Sequence, residues 1–310
     1  MPMVIQIDPP AWPAHGILWS HLVSDTSYAE LHEFARRLGL PRRSFDLDHY
    51  DLPENRYDEA LRLGARATPG SDLVRSLRAS GLRVPQVDRP RVRPERRLEY
   101  LHAEWGALGA GLGLRPASGW DALGRSLVAR WSETHRSYHD LGHLEDVLLA
   151  IDHLATLGER IAPETLLAAW FHDAVYRGEP GEDERASARL AVVSLEGHCL
   201  DDTTVSQVRD LILATAPQDS PEAAPLPLAH LLDADLSIFG AGERRYLRYA
   251  SSVREEYAHL PDDVFRAGRA QILDRYLERP AIYRTRASRS LWEARARENL
   301  GREIAVLRSV

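Results

Sequence analysis

After residue 98 the apolar positions recur at i, i+3 and i+4, the period of helices that bury one face. The spacing predicts helices over 119–132, 140–157, 164–176, 184–197, 203–215 and 225–238, then 243–259, 262–278 and 288–308. Prolines at 163, 180, 217, 221, 225, 227, 261 and 280 fall mostly between these segments, where a residue lacking an N–H belongs. Alternating patterns are weak throughout, so residues 98–310 are expected to form an all-α bundle.

The amino-terminal region follows a different pattern. Val4-Ile5-Gln6-Ile7 reads as a short strand stopped by Asp8-Pro9-Pro10. Ser27 and Glu30 have capping-box spacing, Leu31, Phe34, Ala35 and Leu38 follow the helical period, and Gly39 and Pro41 supply the stop. A second helix is expected over Ser71–Ser80, after a turn at Pro69-Gly70. Residues 1–83 are therefore assigned to a small α/β domain. Between the two regions, residues 84–97 (VPQVDRPRVRPERR) combine three prolines with a run of arginines, and are expected to form an extended, solvated linker.

Composition narrows the function. The 310 residues are 44% hydrophobic and 27% charged, which provides a core and excludes the disordered class. A net charge of -7 disfavours binding nucleic acid by phosphate neutralisation. Every basic residue is arginine, which rules out lysine Schiff-base chemistry and a Walker-type phosphate loop. The lone Cys199 can form neither an intramolecular disulfide nor a multi-cysteine zinc site. With no signal-peptide pattern and no apolar run of membrane-spanning length, a soluble cytoplasmic protein is expected.

Three clusters carry candidate chemistry. In Tyr138-His139-Asp140-Leu141-Gly142-His143 the histidines are four apart, a spacing that on a helix stacks both imidazoles along one face. Trp170-Phe171-His172-Asp173 places a His-Asp pair at the polar end of an apolar helix, where it could bracket a metal ion. Leu232-Asp233-Ala234-Asp235-Leu236 sets two acids in an apolar segment, costly unless they are paired or coordinate a metal. Imidazole and carboxylate donors suit Mn, Fe, Zn or Co, with Mg favoured at an oxygen-rich second position, so one or two divalent ions are expected. The isolated His198, His230 and His259 are expected to be hydrogen-bonded structural residues.

In this order, His, His-Asp, Asp, the residues resemble the HD superfamily of metal-dependent phosphohydrolases. They are similar to a bacterial group of predicted HD phosphohydrolases with YH-x-x-x-H, FHD, E-x-x-SA and DADL blocks. Those blocks stand here as Tyr138-His139 to His143, Phe171-His172-Asp173, Glu184-Arg185-Ala186-Ser187-Ala188 and Asp233-Ala234-Asp235-Leu236. The resemblance implies metal ligation by His143, His172, Asp173 and Asp235, the last preferred over Asp233 because the superfamily's final ligand usually follows a small residue. The first block is also similar to the Y-H-N-x-x-H stretch of cyclic-nucleotide phosphodiesterases, which implies His139 as general acid, although Asp140 stands where that family has asparagine. Glu184 is expected either to orient water or to support a ligand histidine.

The implied activity is hydrolysis of a phosphomonoester or phosphodiester, with a nucleotide as the expected substrate and metal-activated water as the nucleophile. Two alternatives stand beside it: a di-iron oxygenase of the same superfamily, with His139 as an added ligand, and a non-catalytic nucleotide sensor that keeps the metal. Arg254, Arg269 and Arg284 are weak candidates for a phosphate clamp. The oligomeric state is open. In the amino-terminal region, Trp19-Ser20-His21-Leu22-Val23-Ser24-Asp25 and Phe45-Asp46-Leu47-Asp48-His49-Tyr50-Asp51 resemble blocks of a small uncharacterised bacterial domain. There His21, Asp25, Asp48 and His49 could form a second metal or phosphate site, or simply cap turns.

Overall fold

The computed structural model describes residues 4–14, 17–114, 119–198, 200–216 and 224–309; Cys199, Pro217 and Pro221 lie outside them. The chain divides into two compact units, residues 1–99 and 100–310.

The first unit is a five-stranded sheet with flanking helices. Its strands are β1 (Ile5–Ile7), β2 (Trp12–Ala14), β3 (Ile17–Ser24), β4 (Tyr50–Pro53) and β5 (Arg66–Ala67), and its helices α1 (Tyr28–Arg37), α2 (Tyr57–Arg62) and α3 (Gly70–Ala79). The sequence pattern yielded β1 alone. The central β3 pairs antiparallel with β1, β2 and β4, while β5 pairs parallel with β1. Leu22 and Leu52 are cross-strand neighbours of Tyr50 and Ser20, and with Ile7, Leu31, Phe34 and Leu38 they fill the core between sheet and α1. Full burial of each such aliphatic side chain contributes about 1.5–3 kcal/mol.

Helix α1 begins where expected: the Ser27 hydroxyl accepts the Glu30 N–H at 3.2 Å. The capping box is only half made, because the Glu30 carboxylate accepts from the Ser24 hydroxyl instead of reaching back to Ser27.

The expected extended linker is in large part helical: α4 runs from Arg89 to Gly111, with Pro94 inside it. Pro90 sits in the first turn, where the N–H would be unpaired anyway, so only Pro94 removes a helical bond. Arg89 is anchored on Asp46 at 2.5 Å, and Arg96 pairs with Glu99 at 2.5 Å. The division between units falls inside this helix.

The second unit is all helical among its described residues: α5 (Trp120–Trp131), α6 (Leu141–Thr156), α7 (Pro163–Phe171), α8 (Glu182–Glu196), α9 (Asp202–Leu213), α10 (Leu226–Asp235), α11 (Glu243–Glu256), α12 (Asp262–Glu278), α13 (Arg286–Ser288) and α14 (Ala294–Arg308). A π-turn over Arg289–Glu293 joins the last two, and a 3₁₀ turn follows α10. Helix α6 packs on α10 and α7, α9 packs on α7 and α8, and α12 packs on α14.

A tryptophan clasp closes one end of this core. Trp105 and Trp120 stack at 4.0 Å between ring centroids, and each indole N–H donates to the other residue's carbonyl, at 2.8 and 2.9 Å. The clasp depends on glycine at two places: a Cβ on Gly109 would stand 2.4 Å from the Trp120 indole, and one on Gly124 would stand 2.4 Å from Trp105. No helix among the described residues is long and apolar enough to cross a membrane.

Candidate metal centre

The centre gathers at the ends of three helices. Asp140 is the N-cap of α6, its carboxylate accepting the N–H groups of Gly142 and His143 at 2.7 and 3.3 Å. The expected helix over 140–157 is present as Leu141–Thr156 between its caps Asp140 and Leu157, and His139 lies on the preceding turn, so the two histidines do not share a helical face. The rings still come together, 5.5 Å apart and edge to face. Helix α7 stops at Phe171 rather than continuing to 176, with His172 as its C-cap and Asp173 just beyond. Asp235 is the last residue of α10.

These termini bring His143, His172 and Asp173 within reach of one ion, with Asp235 close to both histidines. His143 Nε2 stands 3.3 Å from His172 Nε2, 3.1 Å from an Asp235 oxygen and 3.9 Å from an Asp173 oxygen. His172 Nε2 lies 3.4 Å from Asp173 and 3.7 Å from Asp235. Two donors that each sit about 2.0–2.2 Å from a tetrahedral ion are separated by about 3.3–3.6 Å, so the shorter of these distances are compatible with a bound ion. The tautomer agrees: His172 Nδ1–H donates to the Ala169 carbonyl at 2.9 Å, leaving Nε2 with its lone pair toward the centre. Two imidazole lone pairs facing each other repel unless a proton or a cation lies between them. Burial opposes charge on His172, but Asp173 and the hydrogen bond to Asp235 outweigh it and raise its pKa. Burial also opposes ionisation of Asp235, yet the two histidines hold its carboxyl far below the usual range. The donor set therefore fits a divalent ion. Trp131 backs both ligand rings, at 6.0 Å from His143 and 5.4 Å from His172.

Three residues that the sequence did not single out hold the centre in place. The nearly buried Glu256 carboxylate accepts three successive N–H groups, Ser137, Tyr138 and His139, at 2.9, 2.8 and 2.9 Å. Its other oxygen meets His139 Nδ1 at 2.7 Å and the Tyr176 hydroxyl at 3.0 Å. Tyr176 also stacks on the His139 ring at 4.2 Å. Arg136, buried, donates to the carbonyls of His139 and Asp173 at 2.9 and 2.8 Å, tying the two chemical blocks together through the backbone. Arg136 and Tyr176 lie beside the recognised blocks and could have been suspected. Glu256 ends a helix far along the chain in an unremarkable Arg-Glu-Glu-Tyr stretch.

His139 Nε2 points inward, 4.0 Å from Asp173. Burial works against its charge, but the hydrogen bond to Glu256 and the charges of Asp173, Glu256 and Asp235 raise its pKa above the ordinary value. Burial opposes ionisation of Glu256 too, and its partnership with His139 brings its pKa down to about 2.

The remaining candidates are placed differently. Asp233 turns away from the centre to accept the N–H groups of Arg284 and Thr285 at 2.7 and 2.8 Å. Glu184 accepts the Gly181 N–H at 2.5 Å and so closes a helix start, while burial and the nearby Asp173 charge raise its pKa. Arg254 is committed to Asp262 and two carbonyls, and Arg269 to Glu303 and the Tyr249 hydroxyl. Arg284 and Arg279 act electrostatically on the buried Tyr276, which also feels Asp235. His198 and His230 bond internally, to the Ser194 carbonyl at 2.8 Å and to Glu159 at 3.1 Å.

The first unit has a cluster of its own. His21 and His49 come together, ring centroids 5.0 Å apart, but with Asp51 rather than Asp25. Asp25 accepts from the Val4 N–H and the Gln6 amide, a structural use. Asp48 is fully buried behind His49.

Residues 5–80 match a protein-family model described as "Protein of unknown function (DUF4031)". No model of the expected phosphohydrolase superfamily matches the helical unit. No curated protein and no solved structure matches the chain.

Proposed function

We propose that the helical unit is a metal-dependent phosphohydrolase of the HD type, cleaving a phosphomonoester or phosphodiester of a nucleotide-like substrate. The observation that carries this reading is the convergence of His143, His172, Asp173 and Asp235 at ligand-edge distances, with a carboxylate-held His139 beside them. Bound there, a divalent ion would supply Lewis-acid charge and an activated water.

The chain's own groups supply the rest. Glu256 fixes the His139 tautomer by taking Nδ1–H, which leaves Nε2 as the nitrogen that faces the centre. With its pKa raised by Glu256 and the nearby carboxylates, His139 keeps its second proton to higher pH than a free imidazole does, and that Nε2–H is the proton the departing oxygen would take as the ester bond breaks. Arg136 keeps the backbone of the acid and of Asp173 in register, so the proton donor and the ligand set move together.

The test is metal content per chain for the wild type and Asp173→Ala, purified anaerobically, followed by a phosphoesterase screen. At least one equivalent of Mn, Zn, Co or Fe should be lost in the variant together with activity. Failure of the wild type to bind metal even with added Mn or Mg would overturn the reading. The approach of His139 Nε2 to Asp173 also favours a second reading, a di-iron centre with His139 as a ligand. Two irons lost together in Asp173→Ala, with oxygen uptake, would select it.

A further inference from the structure

The amino-terminal sheet assembles three donors by strand register. His21 on β3 lies directly opposite Asp51 on β4, so their side chains share one face of the sheet. His49, just ahead of β4, brings its ring to 5.0 Å from that of His21. One donor atom from each of His21, His49 and Asp51 lies within 4.8 Å of the other two. His49 Nε2 and an Asp51 oxygen are 3.4 Å apart, again the edge length of a tetrahedral site.

What sets this cluster apart from an ordinary surface ion pair is the treatment of the far side of each ring. His21 Nδ1 meets Asp8 at 3.0 Å, and His49 Nδ1 meets Asp48 at 2.6 Å. Asp8 and Asp48 are both buried, and each is held in turn: Asp8 by the Trp12 indole and the His21 N–H, Asp48 by Arg83 and the Val84 N–H. A buried carboxylate on Nδ1 fixes the tautomer and presents Nε2 as the free donor, the arrangement that supports metal-bound histidine. Two such pairs meet here, their imidazole rings 5.0 Å apart. The backbone is also strained beside them: Leu47, next to Asp48, has φ of +66°, in the left-handed region.

We propose that the first unit binds a divalent transition-metal ion of borderline softness, such as zinc, through His21, His49 and Asp51, with Asp8 and Asp48 as positioning residues. Two imidazoles and one carboxylate leave a fourth tetrahedral position open. Asp51, 47% exposed at its side chain, puts that position on the solvent side, where water or a small anion can enter. This site is independent of the centre in the helical unit.

The experiment uses the full chain with the helical centre removed by His172→Ala and Asp173→Ala, titrated with zinc against a chromophoric chelator. One equivalent should bind. Adding Asp51→Asn, a near-isosteric change at a side chain 47% exposed, should weaken binding by about tenfold or more, and Asp8→Asn by about 10–100-fold. Asp25→Asn should leave affinity unchanged. Circular dichroism of each variant separates loss of the site from loss of the fold. No zinc retained by the doubly substituted parent, or equal affinity in the folded Asp51→Asn and His21→Gln variants, would overturn the proposal.

Discussion

Glu256 and His139 lie 117 residues apart in the chain and meet at 2.7 Å through Oε2 and Nδ1, while the other Glu256 oxygen gathers the backbone N–H of His139 itself. One carboxylate thus sets both the position and the charge of the proposed acid. Glu256→Gln keeps the shape and removes the charge. It should lower kcat by about 10–100-fold, leave metal content unchanged, and move the alkaline limb of the kcat–pH profile to lower pH. A profile that only scales down, with both limbs in place, would assign Glu256 a purely structural role.

The two acids of the Asp-Ala-Asp segment should separate cleanly. Asp235→Ala should release metal with little change in melting temperature. Asp233→Ala, which strands two buried N–H groups, should cost about 1–3 kcal/mol per unpaired group and leave the folded fraction able to bind metal. Elemental analysis beside thermal unfolding distinguishes them.

Arg136→Lys should fail to replace arginine. A single ammonium cannot span the His139, Asp173 and Ala174 carbonyls together with Glu133, so the variant should lose about 2–4 kcal/mol and bind metal more weakly. Full stability in a chemical denaturation series would show that the clamp is dispensable.

His32 gives the first unit a predictable acid sensitivity. Burial, with Arg42 and Arg96 nearby, pushes its pKa down to about 3 from 6.5. Above 6.5 neither state is charged and the residue contributes no pH dependence. As pH falls below 6.5 the unfolded chain gains a proton that the folded chain refuses until about 3, so stability is lost across that window. His32→Gln should flatten the slope by up to one proton, about 1.4 kcal/mol per pH unit, in unfolding measured between those limits.

The helices of the second unit were legible largely because prolines punctuate them; 262–278, with Pro261 as its N-cap and Pro280 just beyond its end, is reproduced to the residue. The proposed ligand residues were legible because each sits in a short local block. What the pattern missed depends on distance or on context. Strand β3 mixes Trp19, Ser20 and His21 along its length, and with both of its edges paired it shows no simple alternation of apolar and polar positions. The start of α4 was hidden by prolines that the first turn tolerates. Asp51 became a donor only through its register with His21, which no single segment reveals.

The indoles of Trp105 and Trp120 are stacked with ring planes 9° from parallel. Parting them would expose both rings to new surroundings, so their near-ultraviolet dichroism and fluorescence should change together. The fold therefore carries its own optical gauge, one that reports on the join between α4 and α5 without any label.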